Sequence, residues 1–264
     1  MIQLPKIDAV KAAEIIKSFI KVKVEEAGCE GVVVGLSGGL DSSVTACLCV
    51  KALGNARVKG LIMPDSQVTP HEDVDDALKL AEMFGIEHKI VDISPMVKQI
   101  VENHPYRSPS NIVAEGNVRA RIRMILLYYV ANAYNLLVAG TGDRSEIMIG
   151  YFTKYGDGGV DILPLGSLYK TQVRELARHL GLPPQIVEKP SSPRLWKGQT
   201  AEGELGLSYD VIDPILHGLY DLGLPLEEVA ERVDVKIDVV EKIKFMVERS
   251  AHKKALPPVA KLNL

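Results

Sequence analysis

Between Ser37 and Ser43 the chain reads Ser-Gly-Gly-Leu-Asp-Ser-Ser, a run that combines conformational freedom, hydroxyls and one carboxylate. Ser37-Gly38-Gly39 permits tight backbone geometry, and amide groups at the start of a following helix can hold a phosphate. Ser42 and Ser43 add hydroxyl donors. The run lacks the Gly-Lys-Ser/Thr of a P-loop and the Gly-x-Gly-x-x-Gly of a dinucleotide fingerprint. Asp41 sets a further requirement. A carboxylate among phosphates repels them unless a cation lies between, and Mg²⁺ shared by Asp41 and phosphate oxygens resolves the conflict.

A second run, Gly140-Thr-Gly-Asp-Arg-Ser-Glu146, offers a hydroxyl and a carboxylate five residues apart, so one loop can place Thr141 and Glu146 at the same crevice. Mg²⁺ needs few carboxylates beside phosphates and water, and Asp41 with Glu146 suffices. Lys154 and Lys170 flank a glycine-rich turn and suit the charge that develops at a pentavalent phosphorus. Outside such a context Lys154 and Asp161 read as surface loop charges, Arg121 as a solvated helix charge, and His252 with Lys253 as a basic tail. Asp157 fits a turn residue as well as a second metal or ammonia site. The other histidines show no ligand spacing.

These residues need a scaffold. Residues 6–27 repeat apolar positions at helical spacing (Val10, Ala13, Ile16, Ile20, Val24). Gly31–Leu36 is a β-branched run typical of a buried parallel strand, and a helix to about Leu53 follows. Val58–Met63 is a second strand. Thr69, with Glu72 three residues on, predicts a capping box for a third helix. Ile86–Val91 is a third strand, 110–135 a long helix and Leu136–Ala139 a fourth strand. The alternation predicts an α/β fold with a doubly wound parallel sheet flanked by helices. Ligands on such sheets bind beyond the carboxyl ends of the strands, where the loops after Leu36, Met63 and Gly140 converge. Residues 169–180 are helical. Residues 188–205, rich in Pro and Gly and holding the single Trp196, suit a lid. Short helices near 208–219, 225–232 and 235–249 form a small helical C-terminal extension of one domain, 1–264, whose core spans about 30–180.

Ser37–Ser43 after a β-branched strand resembles the pyrophosphate loop of the N-type ATP pyrophosphatases, which cleave ATP between its α and β phosphates. Gly140–Glu146, Gly150-Tyr-Phe-Thr-Lys-Tyr-Gly-Asp-Gly-Gly-Val-Asp161 and Leu163-Pro-Leu-Gly-Ser-Leu-Tyr-Lys170 are similar to the signature stretch of the NAD synthetases within that group. Gly116–Met124, Glu188–Ser192 with Leu195–Thr200, and Ser250–Lys253 fit the same family, so the resemblance spans roughly residues 10 to 255. It implies an adenine nucleotide alpha hydrolase-like fold. It also implies ATP-dependent amidation of deamido-NAD by ammonia through an acyl-adenylate, with Mg²⁺ as cofactor and ATP as co-substrate.

By the same resemblance Gly35, Leu36, Ser37, Gly38, Gly39, Leu40, Asp41 and Ser42 cradle the ATP phosphates, Thr141 and Ser192 touch ATP, and Lys170 neutralises phosphate charge. Asp41 and Glu146 bind Mg²⁺. Arg121, Lys154, Asp161, His252 and Lys253 bind deamido-NAD, with Asp161 also placed to orient ammonia. Asp143 and Arg144 fall where the family varies and receive no role. Ser192 stands where some members carry Thr. The family further implies a homodimer, for which the amphipathic N-terminal helix and residues 110–135 are candidate surfaces.

The bulk composition agrees. A net charge of −3 does not suit a nucleic-acid binder. No apolar run reaches a membrane span, and no cleavable signal is visible, so the cytosol is the expected compartment. Cys29, Cys47 and Cys49 lack a C-x-x-C pair and read as small hydrophobes. The chain is taken up by the synthetase pattern and shows no glutaminase, which makes free ammonia the direct donor; a separate glutaminase partner stays open. Two other readings remain. One is a different ATP pyrophosphatase, such as a GMP synthetase or a tRNA thiolase; a thiolase calls for more basic charge and for catalytic or metal-binding cysteines. The other is a non-catalytic nucleotide sensor, against which Asp41, Glu146, Lys154 and Lys170 together argue.

Overall fold

The computed structural model describes residues 2–108 and 111–262. Helix α1 (Ala9–Glu26) begins where the Asp8 carboxylate accepts a hydrogen bond from the amide of Lys11. It buries Ala13, Ile16, Ile20 and Val24, spaced three or four apart, while Val10 on the same predicted stripe is exposed. Strand β1 (Gly31–Gly35) leads to α2 (Leu40–Leu53), β2 (Val58–Ile62), α3 (His71–Phe84), β3 (Glu87–Ile90), α4 (Ser94–Glu102), α5 (Ile112–Tyr134) and β4 (Leu136–Ala139). Then come α6 (Arg144–Ile149), α7 (Lys170–His179), α8 (Pro184–Val187), α9 (Ala201–Leu205) and α10 (Tyr209–Leu216). A π-helical turn (His217–Asp221) links α10 to α11 (Leu226–Val233) and α12 (Ile237–Arg249).

The four strands are parallel in the order β3-β2-β1-β4. The chain therefore reverses its direction of travel between β1 and β4, which opens a crevice at the carboxyl ends of those two strands. Valines alternate across β1: Val32 and Val34 face a core shared with α1, α2, α3 and α7, and Val33 faces one shared with α4 and α5. Burying each such side chain contributes roughly 1.5–3 kcal/mol. Helix α2 lies so deep that every residue from Ser42 to Cys49 is buried. Cys47 and Cys49 are therefore both core residues although two positions apart, and burial pushes the Cys49 thiol up to about 12. A third core gathers Tyr209, Ile212, Ile215, Val229, Val240 and Ile243 with Ile149 and Ile2.

The doubly wound sheet and the helical C-terminal part match the expectation. Several local readings change, and the short helices α6 and α8 are additions to the predicted elements. Pro70, not Thr69, caps α3, and the Thr69 hydroxyl instead accepts from the amide of Asp65. Helix α4 was not predicted: it is short, lacks a side-chain cap, and buries only Ser94 and Val97. The stretch 188–207 contains helix α9, whose cap is Thr200. Among the described residues no helix is long and apolar enough to cross a membrane.

Candidate active site

The chain leaves β1 at Gly35 and turns sharply before α2. Gly38 adopts φ +71°, and a Cβ there would stand 2.2 Å from the Asp73 carbonyl oxygen, so only glycine fits. Serines knit the turn: Ser37 Oγ and Ser42 Oγ are 2.9 Å apart, and Ser43 Oγ donates to the Gly39 carbonyl at 2.6 Å. No side chain caps α2, which leaves its first amides for a ligand. Asp41 lies in that first turn.

After β4 the chain passes Gly140 and Thr141 to Asp143, whose Oδ1 accepts from the amide of Glu146 and caps α6. The cap turns Glu146 toward Asp41. Carboxylate oxygens of Asp41, Asp143 and Glu146 all lie within 4.8 Å of one another. Lys170, the first residue of α7, closes the group. Its Nζ is 2.6 Å from Asp41 Oδ2, 2.8 Å from Asp143 Oδ2 and 2.9 Å from Glu146 Oε1, with the side chain fully buried. Burial alone would lower the lysine's pKa; the three carboxylates outweigh it and hold it well above the usual range. Burial and the neighbouring acids push Glu146 well up, against the pull of Lys170, and burial with Asp41 lifts Asp143 to about 6. Asp41 Oδ1 is buried without a partner. With all three acids ionised, one ammonium leaves two negative charges uncompensated; a divalent cation would balance them and favour the ionised forms, and hard oxygen donors are what Mg²⁺ takes.

Beside this cluster opens a cavity of about 250 Å³, lined by Gly35, Leu36, Ser37, Gly39, Leu40, Asp41, Ser42, Thr141, Glu146 and Ser192. Gly38 is not on its wall; the Gly38 carbonyl accepts from Lys189 Nζ at 3.1 Å. Ser192 Oγ is engaged within its own loop, donating to the Gln199 carbonyl at 2.5 Å. The neighbouring Ser191 hydroxyl, in the same wall, is buried with no partner. Lys189 also pairs with Asp73 and Asp76 at 2.7 Å each, and Arg194 Nε with Asp73 at 2.7 Å. These pairs strap residues 188–200 across the cavity to α3. At the strap's tip, Leu195 and Trp196 press on Gly116 of α5, where an added Cβ would lie 2.9 Å from Leu195 Cβ.

A second group forms outside the cavity. Arg121 Nη2 donates to the Lys154 carbonyl at 3.3 Å, and Lys154 Nζ to the His252 carbonyl at 2.7 Å. Lys253 Nζ is occupied by the carbonyls of Gly150 and Phe152. The structure thus joins Arg121, Lys154, His252 and Lys253 across about 130 residues of sequence. Asp161 lies apart, accepting from Tyr128 at 2.9 Å and from the Val138 amide at 2.7 Å, so it also ties α5 to β4. Asp157 Oδ1 accepts from the amide of Thr153, the turn role left open by the sequence.

A family model described as NAD synthase matches residues 12–257. The chain belongs to the NAD synthase family. An NH(3)-dependent NAD(+) synthetase of Hyperthermus butylicus is 54% identical over 97% of this chain and 92% of its own length. One from Pyrobaculum aerophilum is 58% identical over 89% of each. Among solved structures, an NMN synthetase from Francisella tularensis superposes with a TM-score of 0.85 at 36% identity, covering 97% of this chain and all of the other. An NH3-dependent NAD synthetase from Campylobacter jejuni gives 0.81 at 32% identity with the same coverage. NAD synthases use ATP as co-substrate and act on small molecules.

Several residues of this NAD synthase site were not singled out from the sequence. Asp143 received no role, yet its spacing from Glu146 is that of a helix cap, a signal that could have aimed both carboxylates inward. Arg123 lines the cavity, its Nε donating to the Met63 carbonyl at 3.1 Å, and burial lowers its pKa to about 10. Helical phase turns Arg121 outward and puts Arg119 and Arg123, four residues apart, on one inward face, where Arg119 pairs with buried Asp65 and Arg123 lines the cavity. Arg194 lies outside the stretches that resemble the family, Lys189 was noted only as part of Glu188–Ser192, and the pairings of both stayed hidden because their partners lie more than 110 residues away.

Proposed function

We propose that this chain catalyses the last step of NAD biosynthesis, the ATP-dependent amidation of deamido-NAD with ammonia, releasing AMP and pyrophosphate. The observation that carries the reading is the uncapped start of α2 and the Asp41–Asp143–Glu146–Lys170 cluster at one end of one cavity. The amides and serines of Gly35–Ser42 receive the ATP phosphates. Asp41 and Glu146 would hold Mg²⁺, with Asp143 within reach, and an ion there would supply positive charge to offset that of the phosphates.

A carboxylate is a poor acyl donor because its oxygen leaves badly. Attack of the nicotinate carboxylate on the α phosphorus converts it to an acyl-adenylate, which ammonia then opens to the amide. No side chain serves as a covalent nucleophile; alignment and charge stabilisation supply the rate. Lys170 contributes positive charge at the phosphate end. Thr141 and Ser192 contact ATP, with the unpartnered Ser191 hydroxyl alongside. Arg121, Lys154, His252 and Lys253 receive the dinucleotide, and Asp161 orients ammonia. The strap 188–200 acts as a lid that keeps water from the adenylate.

The protein works in the cytosol as a homodimer and binds no nucleic acid. Exposed Ile125 and Tyr129, in line with Arg121 on α5, support that face as the contact between copies, and light scattering at micromolar concentration tests it.

A second reading rests on the NMN synthetase likeness at TM-score 0.85: the acceptor is the deamido mononucleotide. The deciding experiment supplies ATP, Mg²⁺ and ammonium with either acceptor and follows AMP and amide together. Equimolar NAD and AMP dependent on deamido-NAD establish the first reading. A preference for the mononucleotide establishes the second, and neither product overturns both.

A further inference from the structure

Lys170 sits among the carboxylates of Asp41, Asp143 and Glu146, but two of the groups around it, Tyr209 and Asp213, come from α10 in the C-terminal helical core. Three amides open α7, and each has a partner. The Tyr169 amide donates to Gln172 Oε1 at 3.1 Å, the Lys170 amide to Ser145 Oγ at 2.9 Å, and the Thr171 amide to Asp213 Oδ2 at 2.9 Å. Ser145 Oγ in turn donates to Asp213 Oδ1 at 2.5 Å, and Thr171 Oγ1 to Asp213 Oδ2 at 2.8 Å. One carboxylate, fully buried on α10, therefore fixes the backbone on both sides of the link between Glu146's loop and Lys170. Its negative charge at a helix N-terminus is also favourably placed.

Four residues earlier on the same face of α10 stands Tyr209. It too is fully buried, with Lys170 Nζ 5.3 Å from the centre of its ring. Its hydroxyl has no hydrogen-bond partner, so what the structure uses is the ring face, which attracts a cation. Asp213 sets where the lysine's backbone starts, and Tyr209 covers where its ammonium ends.

We propose that Tyr209 and Asp213 are positioning residues for Lys170: α10 holds the lysine at backbone and ammonium, so that a helix outside the sheet controls charge stabilisation at the phosphate end of the cavity. The inference rests on the amidation reading above. Neither residue reaches the reacting atoms; both act through Lys170.

The test compares wild type with Asp213→Asn, Ser145→Ala, Tyr209→Phe and Tyr209→Leu in the amidation assay. Turnover is corrected for folded fraction by circular dichroism. Misaiming Lys170 is expected to lower kcat about tenfold or more in Asp213→Asn, Ser145→Ala and Tyr209→Leu, with the KM for deamido-NAD within twofold. Tyr209→Phe keeps the ring face and is expected to retain wild-type kcat. Turnover per folded molecule within twofold of wild type in Ser145→Ala and Tyr209→Leu would overturn the proposal. So would Tyr209→Phe falling as far as Tyr209→Leu. A wild-type protein that forms no amide sinks the amidation reading instead, so the two failures are distinguishable.

Discussion

Lys170 Nζ stands 2.6 Å from Asp41 Oδ2 although 129 residues separate them, and no water reaches the lysine. An ammonium so placed is the counter-charge for three acids. Replacing Lys170 by Ala leaves Asp143 buried, and Asp41 and Glu146 partly buried, without their cation, which costs about 3–5 kcal/mol of stability. Urea unfolding is expected to show that loss, and Mg²⁺ to restore more stability to the variant than it adds to wild type. If the variant unfolds at the wild-type midpoint without Mg²⁺, the cluster is not the charge trap described.

Gly38 tests the phosphate loop without touching a charged group. Gly38→Ala forces a Cβ against the Asp73 carbonyl at a left-handed φ. Strain of about 1–3 kcal/mol is expected, concentrated in the loop. Calorimetry with a non-hydrolysable ATP analogue should show the affinity lost while far-ultraviolet circular dichroism is unchanged. Undiminished binding would mean the loop does not shape the nucleotide site.

Asp73 holds both strap cations. Asp73→Ala removes the carboxylate that Arg194 uses and one of the two that Lys189 uses. Partly shielded ion pairs of this kind contribute about 1 kcal/mol, so trypsin cleavage after Arg194 and Lys197 is expected to quicken about fivefold. Timed digestion followed by mass spectrometry checks it; an unchanged rate would show that Leu195, Trp196 and the remaining contacts of Lys189 with Asp76 and the Gly38 carbonyl hold the strap without Asp73.

Asp221 links α10's neighbourhood to α6 and α7, accepting from Tyr169 and His217 and pairing with Arg144. Burial alone would raise its pKa; the hydrogen bonds from His217 and Tyr169 and the Arg144 charge hold it below 3.8. A depressed carboxylate stabilises the fold above the unfolded value and loses that contribution as pH falls through the folded one. Asp221→Asn is therefore expected to lose about 1–2 kcal/mol at pH 7, with the gap to wild type narrowing only below about pH 4. Melting curves over that range decide it; a gap independent of pH would contradict the linkage.

The parts of the site readable in sequence are those where chemistry and local structure coincide. Ser37–Ser43 announces a turn and a helix start while carrying hydroxyls and amides of the kind that suit a phosphate, and Thr141 with Glu146 follows β4 within one loop. What stayed hidden depends on distant partners. Asp213 looks like one more acid on an amphipathic helix until Ser145 and Thr171 meet it. Ser191 and Ser192 are chemically alike, and only folding commits the second to Gln199. Thr69 carried the spacing of a cap, but Pro70, preset in φ, took the position. The grouping of Arg121, Lys154 and His252 was legible only through family resemblance, since the three lie on separate segments.

Ile2 is buried with Tyr209, Ile212 and Val229, and its amide donates to the Arg232 carbonyl at 3.1 Å. The stretch around Ile2 emerges from the ribosome long before the helices that cover it. It stays wet through most of synthesis, and the third core closes only after α12 has been made. Because α10 in that core steadies Lys170, the chain acquires its sheet first and a working charge cluster last.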